Sequence, residues 1–212
     1  MLKINEIYYS IQGESTKTGL PCVFVRLTYC NLRCSYCDTE YAFYEGNEMT
    51  IDAIIDKVKK YNCKLVEITG GEPLFQDECI ELMKQLCDNG FDVMLETGGS
   101  LAIQNVDKRV MIILDLKCPS SKMMKKNLYE NLDCIKQSDE IKFVIGTLED
   151  YEWAKEIIGK YNLVKKCSIL FSVVFGLLEP VKLVEWILKD NLEVRFQLQA
   201  HKVIWEPSKK GV

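Results

Sequence analysis

The sequence predicts an α/β fold in which parallel strands form an incomplete (β/α)6-type barrel with abbreviated helices. Short β-rich apolar runs alternate with helical patterns, and polar or glycine-rich residues recur where each apolar run stops. A repeated order of strand, helix and strand favours parallel pairing with right-handed crossovers. The chain has 212 residues and is 48% hydrophobic, which suits one domain, residues 1–212, but not a full eight-fold barrel.

The first predicted strand covers residues 23–27 and leads directly into a cysteine-containing loop at 28–40. Thr50 is the expected N-cap of a helix that continues through Tyr61. The second predicted strand covers residues 65–69 and ends at a Gly-Gly-Glu-Pro turn. These elements form the first strand, helix and strand unit of the sheet.

The later elements repeat this order. A helix from about residue 76 to 89 is expected to stop at Gly90. Further strands are predicted at 92–96, 110–114, 140–145, 168–174 and 193–198, with helices at 148–161 and 179–189. Because functional residues gather at the carboxyl ends of parallel strands, one pocket is expected to collect the residues found there. These are Thr28 with the cysteines, residues 69–73, residues 96–99, residues 115–117, Lys142 and Ser172.

The charge and cysteine content exclude several classes of partner. With 27 Lys and Arg residues against 31 Asp and Glu residues, the net charge of -4 gives no signature of direct nucleic-acid binding. The ten cysteines show no paired spacing, and the sequence has no signal peptide and no apolar run long enough to cross a membrane. We therefore expect a reducing, cytoplasmic location and no membrane partner. The cysteines outside residues 28–40 lie among apolar neighbours and are interpreted as buried packing residues.

Cys30, Cys34 and Cys37 form the most informative motif, with the spacing Cys-x3-Cys-x2-Cys. A [4Fe-4S] cluster binds soft thiolates, and three local cysteines leave one iron without a local protein ligand. A zinc site with three cysteines and one histidine is the alternative, but His201 is the only histidine and lies far away in the sequence. The motif favours a redox cluster, and a zinc-binding interaction module is the alternative.

The cysteine loop after one strand and the Gly-Gly-Glu-Pro turn after the next resemble the radical S-adenosylmethionine (SAM) superfamily. The resemblance implies that the three cysteines hold a [4Fe-4S] cluster whose fourth iron is chelated by SAM. It also implies the radical SAM type of partial barrel. The positions that match SAM contacts are Tyr36, Gly71, Glu72, Glu96, Thr97, Asp115, Leu116, Lys117 and Ser172.

Residues 9–15 and 197–205 narrow the resemblance to the 7-carboxy-7-deazaguanine synthases, and the similarity covers nearly the whole chain. Members of that family convert 6-carboxy-5,6,7,8-tetrahydropterin to 7-carboxy-7-deazaguanine with loss of ammonia. This step belongs to the biosynthesis of queuosine and related 7-deazapurines. The resemblance implies a lyase that uses SAM, a [4Fe-4S] cluster and Mg²⁺.

The same resemblance implies the substrate and metal contacts. Arg26 matches the clamp for the substrate carboxylate, to which a guanidinium fork is well suited. Thr39 matches a hydroxyl ligand of Mg²⁺, a hard cation that prefers oxygen ligands. The other expected pterin contacts are Ile11, Gln12, Gly13, Glu14, Thr69, His201 and the terminal carboxylate of Val212.

A glycyl-radical-enzyme activase is the alternative within the superfamily, because it shares the cysteine loop and SAM. Its protein substrate requires neither Arg26 as a carboxylate clamp nor the segment around His201. The resemblance further implies an electron donor such as flavodoxin or ferredoxin. An incomplete barrel leaves an open side, so we also expect a homodimer.

Overall fold

A computed structural model describes residues 1–212. Its strands form one nine-stranded sheet, in the order β3-β1-β2-β4-β5-β6-β7-β8-β9 once they are numbered along the chain. The strands are β1 (Leu2–Ile11), β2 (Pro21–Leu27), β3 (Asn47–Met49), β4 (Leu65–Gly70), β5 (Asp92–Thr97), β6 (Met111–Asp115), β7 (Glu140–Ile145), β8 (Ser168–Val173) and β9 (Arg195–Phe196). All neighbours from β2 to β9 pair in parallel. The predicted α/β partial barrel is confirmed.

An antiparallel strand pair precedes the parallel strands, and the sequence interpretation missed it. β1 runs antiparallel to β2, with Ile7 opposite Val25, and also to β3, with Leu2 opposite Met49. A register shift between Ile4 and Glu6 interrupts the alternation of buried and exposed residues in β1. The period of two that identifies a half-buried strand is therefore broken in the middle. The cysteine loop follows the second strand of the chain, not the first.

The first four helices pack on the outer face of the sheet, whereas the short fifth helix lies at the cavity. The helices are α1 (Ile51–Lys59), α2 (Glu78–Asp88), α3 (Leu148–Tyr161), α4 (Pro180–Lys189) and α5 (Ala200–Ile204). Thr50 caps α1 as predicted, because its hydroxyl accepts a hydrogen bond of 3.2 Å from the Ala53 amide. Only short 3-10 turns connect β6 to β7, and no helix connects β5 to β6. None of the helices combines the length and the apolar character needed to span a bilayer.

The two faces of the sheet differ in chemistry. The alternate residues Val66 and Ile68 of β4 belong to a core of 41 buried apolar residues. Glu67 lies between them and points to the concave inner face, and Lys142 of β7 also lines the space enclosed by that face. Buried charged groups therefore occupy the interior of the partial barrel.

The open side of the partial barrel is crossed by residues 12–20, which we name the closing loop. This loop connects β1 to β2, yet it makes its contacts on the opposite side of the sheet. The Ala200 amide donates to the Gly13 carbonyl at 2.9 Å, and the Thr16 amide donates to Glu140 at 2.9 Å. The closing loop thus joins the N-terminal strand pair to β7 and to α5, where no strand pairing closes the sheet.

Candidate active site

A cavity of about 620 Å³ opens at the carboxyl ends of the parallel strands. The cysteine loop, the closing loop, the β4 turn and the C-terminal segment all contribute to its lining. All the residues predicted to contact SAM, substrate or metal line this cavity, with the exceptions of Glu72, Leu116 and Ser172. The single shared pocket expected from the strand ends is therefore present.

Cys30, Cys34 and Cys37 are unpaired, half-buried and exposed to this cavity. The Cys30 sulfur accepts a hydrogen bond of 3.4 Å from the Leu32 amide, a contact that stabilises thiolate character. Burial raises the pKa of Cys34 to about 11, so ligation by a positively charged centre is the natural way to hold its thiolate. The thiol set fits the predicted cluster.

A zinc site finds less support in the side-chain geometry. No three His, Cys, Asp or Glu side chains are gathered closely enough to hold a single metal ion. A structural zinc ion requires four such ligands at about 2.0–2.3 Å from the metal.

The glycines of the β4 turn allow it to rest on the cysteine loop. A Cβ atom on Gly70 would lie 2.2 Å from the Leu27 carbonyl oxygen, and one on Gly71 would lie 2.0 Å from the Tyr29 carbonyl oxygen. The backbone of Gly70 has a φ of +136°, which also favours glycine. The Glu72 amide then donates to the Tyr29 carbonyl at 2.8 Å. The Gly-Gly-Glu-Pro motif is thus required for the direct contact between these two loops.

Five charged side chains form a network on the inner face. The Lys142 ammonium lies 3.0 Å from Glu14, in contact with Glu96 and 3.7 Å from Asp115. Lys117 pairs with the same Asp115 at 2.9 Å. Burial opposes the charge of Glu96, but Lys142 lowers the pKa of this carboxyl below its usual range. Burial also opposes the charge of Lys142, yet Glu14 and Glu96 raise its pKa well above the usual range. Each of these two groups therefore favours the charged form of the other.

Comparisons with known proteins agree with the geometry of the cavity. The model for the Radical SAM superfamily matches residues 25–169. A 7-carboxy-7-deazaguanine synthase from Chlorobaculum tepidum is 49% identical over 100% of this chain and 97% of its own. One from Koribacter versatilis is 46% identical over 100% of both chains.

The chain belongs to the 7-carboxy-7-deazaguanine synthase family of the radical SAM superfamily.

Solved structures agree with the radical SAM fold. QueE from Escherichia coli superimposes with a TM-score of 0.77 at 24% identity, covering 94% of each chain. SuiB from Streptococcus suis, solved with bound S-adenosylmethionine, gives a TM-score of 0.56 at 15% identity, covering 81% of this chain and 45% of its own. The resemblance inferred from the sequence motifs is confirmed.

Three residues that were expected to contact SAM have side chains outside the cavity. The Glu72 carboxylate is fully buried and accepts hydrogen bonds from the Thr97 hydroxyl and the Gly98 amide, both at 2.8 Å. Leu116 belongs to the apolar core, and Ser172 is buried without a hydrogen-bond partner for its hydroxyl. The sequence places them next to strand ends, but their side chains point into the protein. Their contacts with SAM stay predictions, and for Glu72 the predicted contact is through the backbone of the turn.

Arg26 is held rigidly where the substrate clamp was predicted. Its guanidinium donates to Glu6 at 2.8 Å and to the Tyr8 hydroxyl at 2.9 Å. The rings of Tyr8 and Tyr41 lie 5.8 and 5.9 Å from the guanidinium carbon. These contacts fix the orientation of the side chain, and it also lines the cavity.

The C-terminal segment contributes more to the cavity than His201 and Val212 alone. The Lys202 ammonium donates to Asp38 at 2.7 Å, which ties α5 to the cysteine loop beside Thr39. Gln199 donates to Glu14 at 2.8 Å. The sequence interpretation did not select Gln199 or Lys202 as site residues, although both lie within the segment 197–205 that resembles the family.

Glu67 is a further pocket residue that the sequence interpretation did not select, and Lys142, which was expected in the pocket, was given no binding role. Gln12 donates a hydrogen bond to Glu67, and burial together with the nearby charge of Glu96 raises the pKa of Glu67 well above its usual range. The available signal was a charged residue within an apolar strand, Leu-Val-Glu-Ile-Thr in β4 and Glu-Ile-Lys-Phe-Val-Ile in β7. Such a residue is costly to bury and marks the inner face of a barrel.

Proposed function

We propose that the protein converts 6-carboxy-5,6,7,8-tetrahydropterin to 7-carboxy-7-deazaguanine with release of ammonia, a step toward queuosine and related 7-deazapurines. One observation carries the proposal. The two segments that resemble the deazaguanine synthases lie at opposite ends of the chain, yet Gly13 and Ala200 share a hydrogen bond of 2.9 Å. Both segments line the cavity that also contains Cys30, Cys34 and Cys37.

On this proposal the three cysteines hold a [4Fe-4S] cluster, and SAM binds between the β4 turn and the carboxyl ends of β5 and β6. When bound, the cluster and SAM supply the one-electron chemistry that abstracts a hydrogen atom from the substrate. The backbone of Gly71 meets the amino-acid part of SAM. Tyr36, Glu96, Thr97, Asp115 and Lys117 provide the remaining cofactor contacts.

The pterin binds on the other side of the cavity, against the closing loop and α5. Arg26 binds the substrate carboxylate. Its guanidinium is suited to this role because Glu6 and Tyr8 fix the orientation of the side chain before substrate arrives. The amides and carboxylates of the closing loop match the donors and acceptors of a pterin ring edge. The pterin contacts are Ile11, Gln12, Gly13, Glu14, Thr69, His201 and the carboxylate of Val212.

Loss of ammonia requires groups that hold and accept protons near the reacting ring. Burial raises the pKa of Glu67 well above its usual range, whereas the Lys142 ammonium lowers the pKa of Glu96 below its usual range. Two carboxyl groups with separated pKa values are a typical arrangement for acid and base chemistry. The closing loop and the last residues of the chain line the cavity and limit the access of water to it.

Thr39 supplies the hydroxyl ligand of Mg²⁺ on this proposal. Its hydroxyl lies 3.8 Å from the Cys37 sulfur, on the side of the cysteine loop that faces the cavity. Asp38 is neutralised by Lys202 and holds the loop in place. A hard cation here would share its shell with water and substrate oxygens.

We also propose that a small electron-transfer protein such as flavodoxin or ferredoxin reduces the cluster, and that the enzyme is a cytoplasmic homodimer. The support is the need for a one-electron donor and the incomplete barrel, whose sheet ends at β3 and β9 without closing. Neither nucleic acid nor a membrane is a direct partner on this proposal.

The test is anaerobic turnover of the reconstituted protein with dithionite, SAM, Mg²⁺ and 6-carboxy-5,6,7,8-tetrahydropterin, followed by mass analysis. We expect 7-carboxy-7-deazaguanine with SAM regenerated. Cleavage of SAM without formation of any deazaguanine would support the radical chemistry and reject the pterin as the substrate. A protein substrate such as that of a glycyl-radical-enzyme activase would then be tested.

A further inference from the structure

Lys142 is the only side chain that contacts carboxylates on both halves of the cavity. It lies in the middle of β7, and its side chain is 5% exposed. Its ammonium contacts Glu14, on the pterin side, and Glu96, on the SAM side. No role in binding or catalysis follows for it from the motifs.

The charges around Lys142 show why one ammonium group matters here. Glu14, Glu96 and Asp115 supply three negative charges, whereas Lys142 and Lys117 supply two positive charges. Loss of Lys142 would leave three carboxylates opposite one ammonium in a buried space. Burying unpaired charge is strongly unfavourable, so at least one carboxylate would move or take up a proton.

The two partners of Lys142 are attached to different elements. Glu14 belongs to the closing loop, which also receives a hydrogen bond from Gln199 of the segment before α5. Glu96 belongs to β5, where it also accepts from the Thr69 hydroxyl of β4 at 3.3 Å. A ligand that orders Glu96 therefore orders Glu14 through the same ammonium, and the reverse also holds.

We propose that Lys142 is a positioning residue that couples the binding of SAM to the binding of the pterin. The inference rests on the proposed function, because it assigns Glu14 and Glu96 to two different ligands. Coupling between two ligands is reciprocal, so each ligand tightens the binding of the other by the same factor. The radical source is then fully ordered only when substrate is present.

The experiment is calorimetric titration of the anaerobically reconstituted protein with SAM, in the absence and presence of saturating 6-carboxy-5,6,7,8-tetrahydropterin. In the unaltered protein we expect the pterin to tighten SAM binding by about tenfold. In Lys142→Met the ratio of the two SAM affinities should fall to about one. This loss is separate from any weaker binding of SAM or pterin alone. Lys142→Arg keeps the charge and should recover a substantial part of the ratio.

Two further variants make the comparison secure. Lys155 lies on α3, outside the cavity, and pairs with Asp190 at 2.5 Å. Lys155→Met should leave the ratio of the two SAM affinities unchanged. Lys142→Gln keeps a donor without the charge, and it takes the place of the methionine variant if that chain does not fold. Thermal unfolding of each variant identifies a failure to fold.

The outcomes separate the two levels of inference. A ratio of SAM affinities that is unchanged in Lys142→Met or Lys142→Gln overturns the role of Lys142. If the unaltered protein still forms the product, the proposed function stands. Absence of pterin binding to the unaltered protein overturns the proposed function, and this inference with it.

Discussion

Two glutamates in the same cavity have pKa values shifted in opposite directions because their surroundings differ. Glu96 lies against the Lys142 ammonium, whereas Glu67 lies deeper on β4 and receives only an amide donor, from Gln12. Burial therefore prevails at Glu67 and the ammonium prevails at Glu96. One lysine, in contact with Glu96, is thus the main difference between the surroundings of the two glutamates.

The variant Glu67→Gln tests the protonated state of Glu67. Because the pKa of Glu67 is higher in the folded state, its contribution to stability is complete below about pH 4.5 and declines as pH rises through the folded pKa. Glutamine has no such decline. The free energy of unfolding of the variant should thus improve relative to the wild type as pH rises, by at most about 1.4 kcal/mol per pH unit.

Denaturant unfolding between pH 4.5 and 8 provides this measurement. The control is Glu81→Gln, which removes an exposed carboxyl from α2. If Glu67→Gln and the wild type give parallel curves against pH, then Glu67 is ionised in the folded protein and does not hold a proton.

Thr39 is the second residue whose role can be tested by a small change, the removal of its hydroxyl group. Thr39→Ala removes the hydroxyl next to the Cys37 sulfur, and we expect the stimulation of turnover by Mg²⁺ to disappear. Thr39→Ser keeps the hydroxyl and should retain the stimulation. Turnover as a function of Mg²⁺ concentration measures the effect, and iron content verifies that the cluster is retained. An unchanged Mg²⁺ response in the alanine variant would reject the assignment.

At the scale of elements, the cysteine loop depends on the start of α3. Asp150 is fully buried and accepts from the Gly146 amide at 2.8 Å and from the Ser120 amide at 2.8 Å. The Ser120 carbonyl in turn accepts from the Ser35 hydroxyl at 2.6 Å, within the cysteine loop. A helix terminus on the outer face thereby supports the cluster ligands on the inner face.

Asp150→Ala should therefore affect both stability and the cluster. We expect the free energy of unfolding to fall by about 3 kcal/mol, because buried amides lose a charged acceptor. Iron retained after reconstitution should fall as well. Thr147→Ala removes the other half of the capping box and should cost about 1 kcal/mol without loss of iron. Equal iron loss in both variants would contradict the proposed path through Ser120.

The elements also show what the sequence could and could not predict. Parallel strands such as β4 and β7 were recognisable because apolar runs end at polar residues. β1 was missed because its bulge breaks the alternation, and β9 is only two residues long, although residues 193–198 were predicted as a strand. Strand ends indicated most of the cavity, including Lys142, but Glu67 enters it from within a strand. Only the curvature of the sheet brings such residues to the site.

At the scale of the whole molecule, the last six residues line the cavity but belong to no strand or helix. Lys210 lies 4.0 Å from the centre of the Tyr41 ring, close to Arg26. Deletion of residues 207–212 should leave the fold intact. It should weaken pterin binding by about tenfold or more, because a charged acceptor for substrate is lost.

Val212→Ala is the matched control, since it keeps the terminal carboxylate and should bind the pterin as the wild type does. Thermal unfolding and pterin titration separate the effects on fold and on binding. Equal pterin affinities in the deletion variant and the wild type would exclude the terminal carboxylate from the site.

The contact between the closing loop and α5 also has a consequence for synthesis. Glu14 and Gln199 are 185 positions apart, so their hydrogen bond forms only when almost the entire chain is available. The parallel strands join neighbours close in sequence and can assemble while the nascent chain still leaves the ribosome. The side of the cavity formed by the closing loop and α5 is consequently completed after the sheet has assembled.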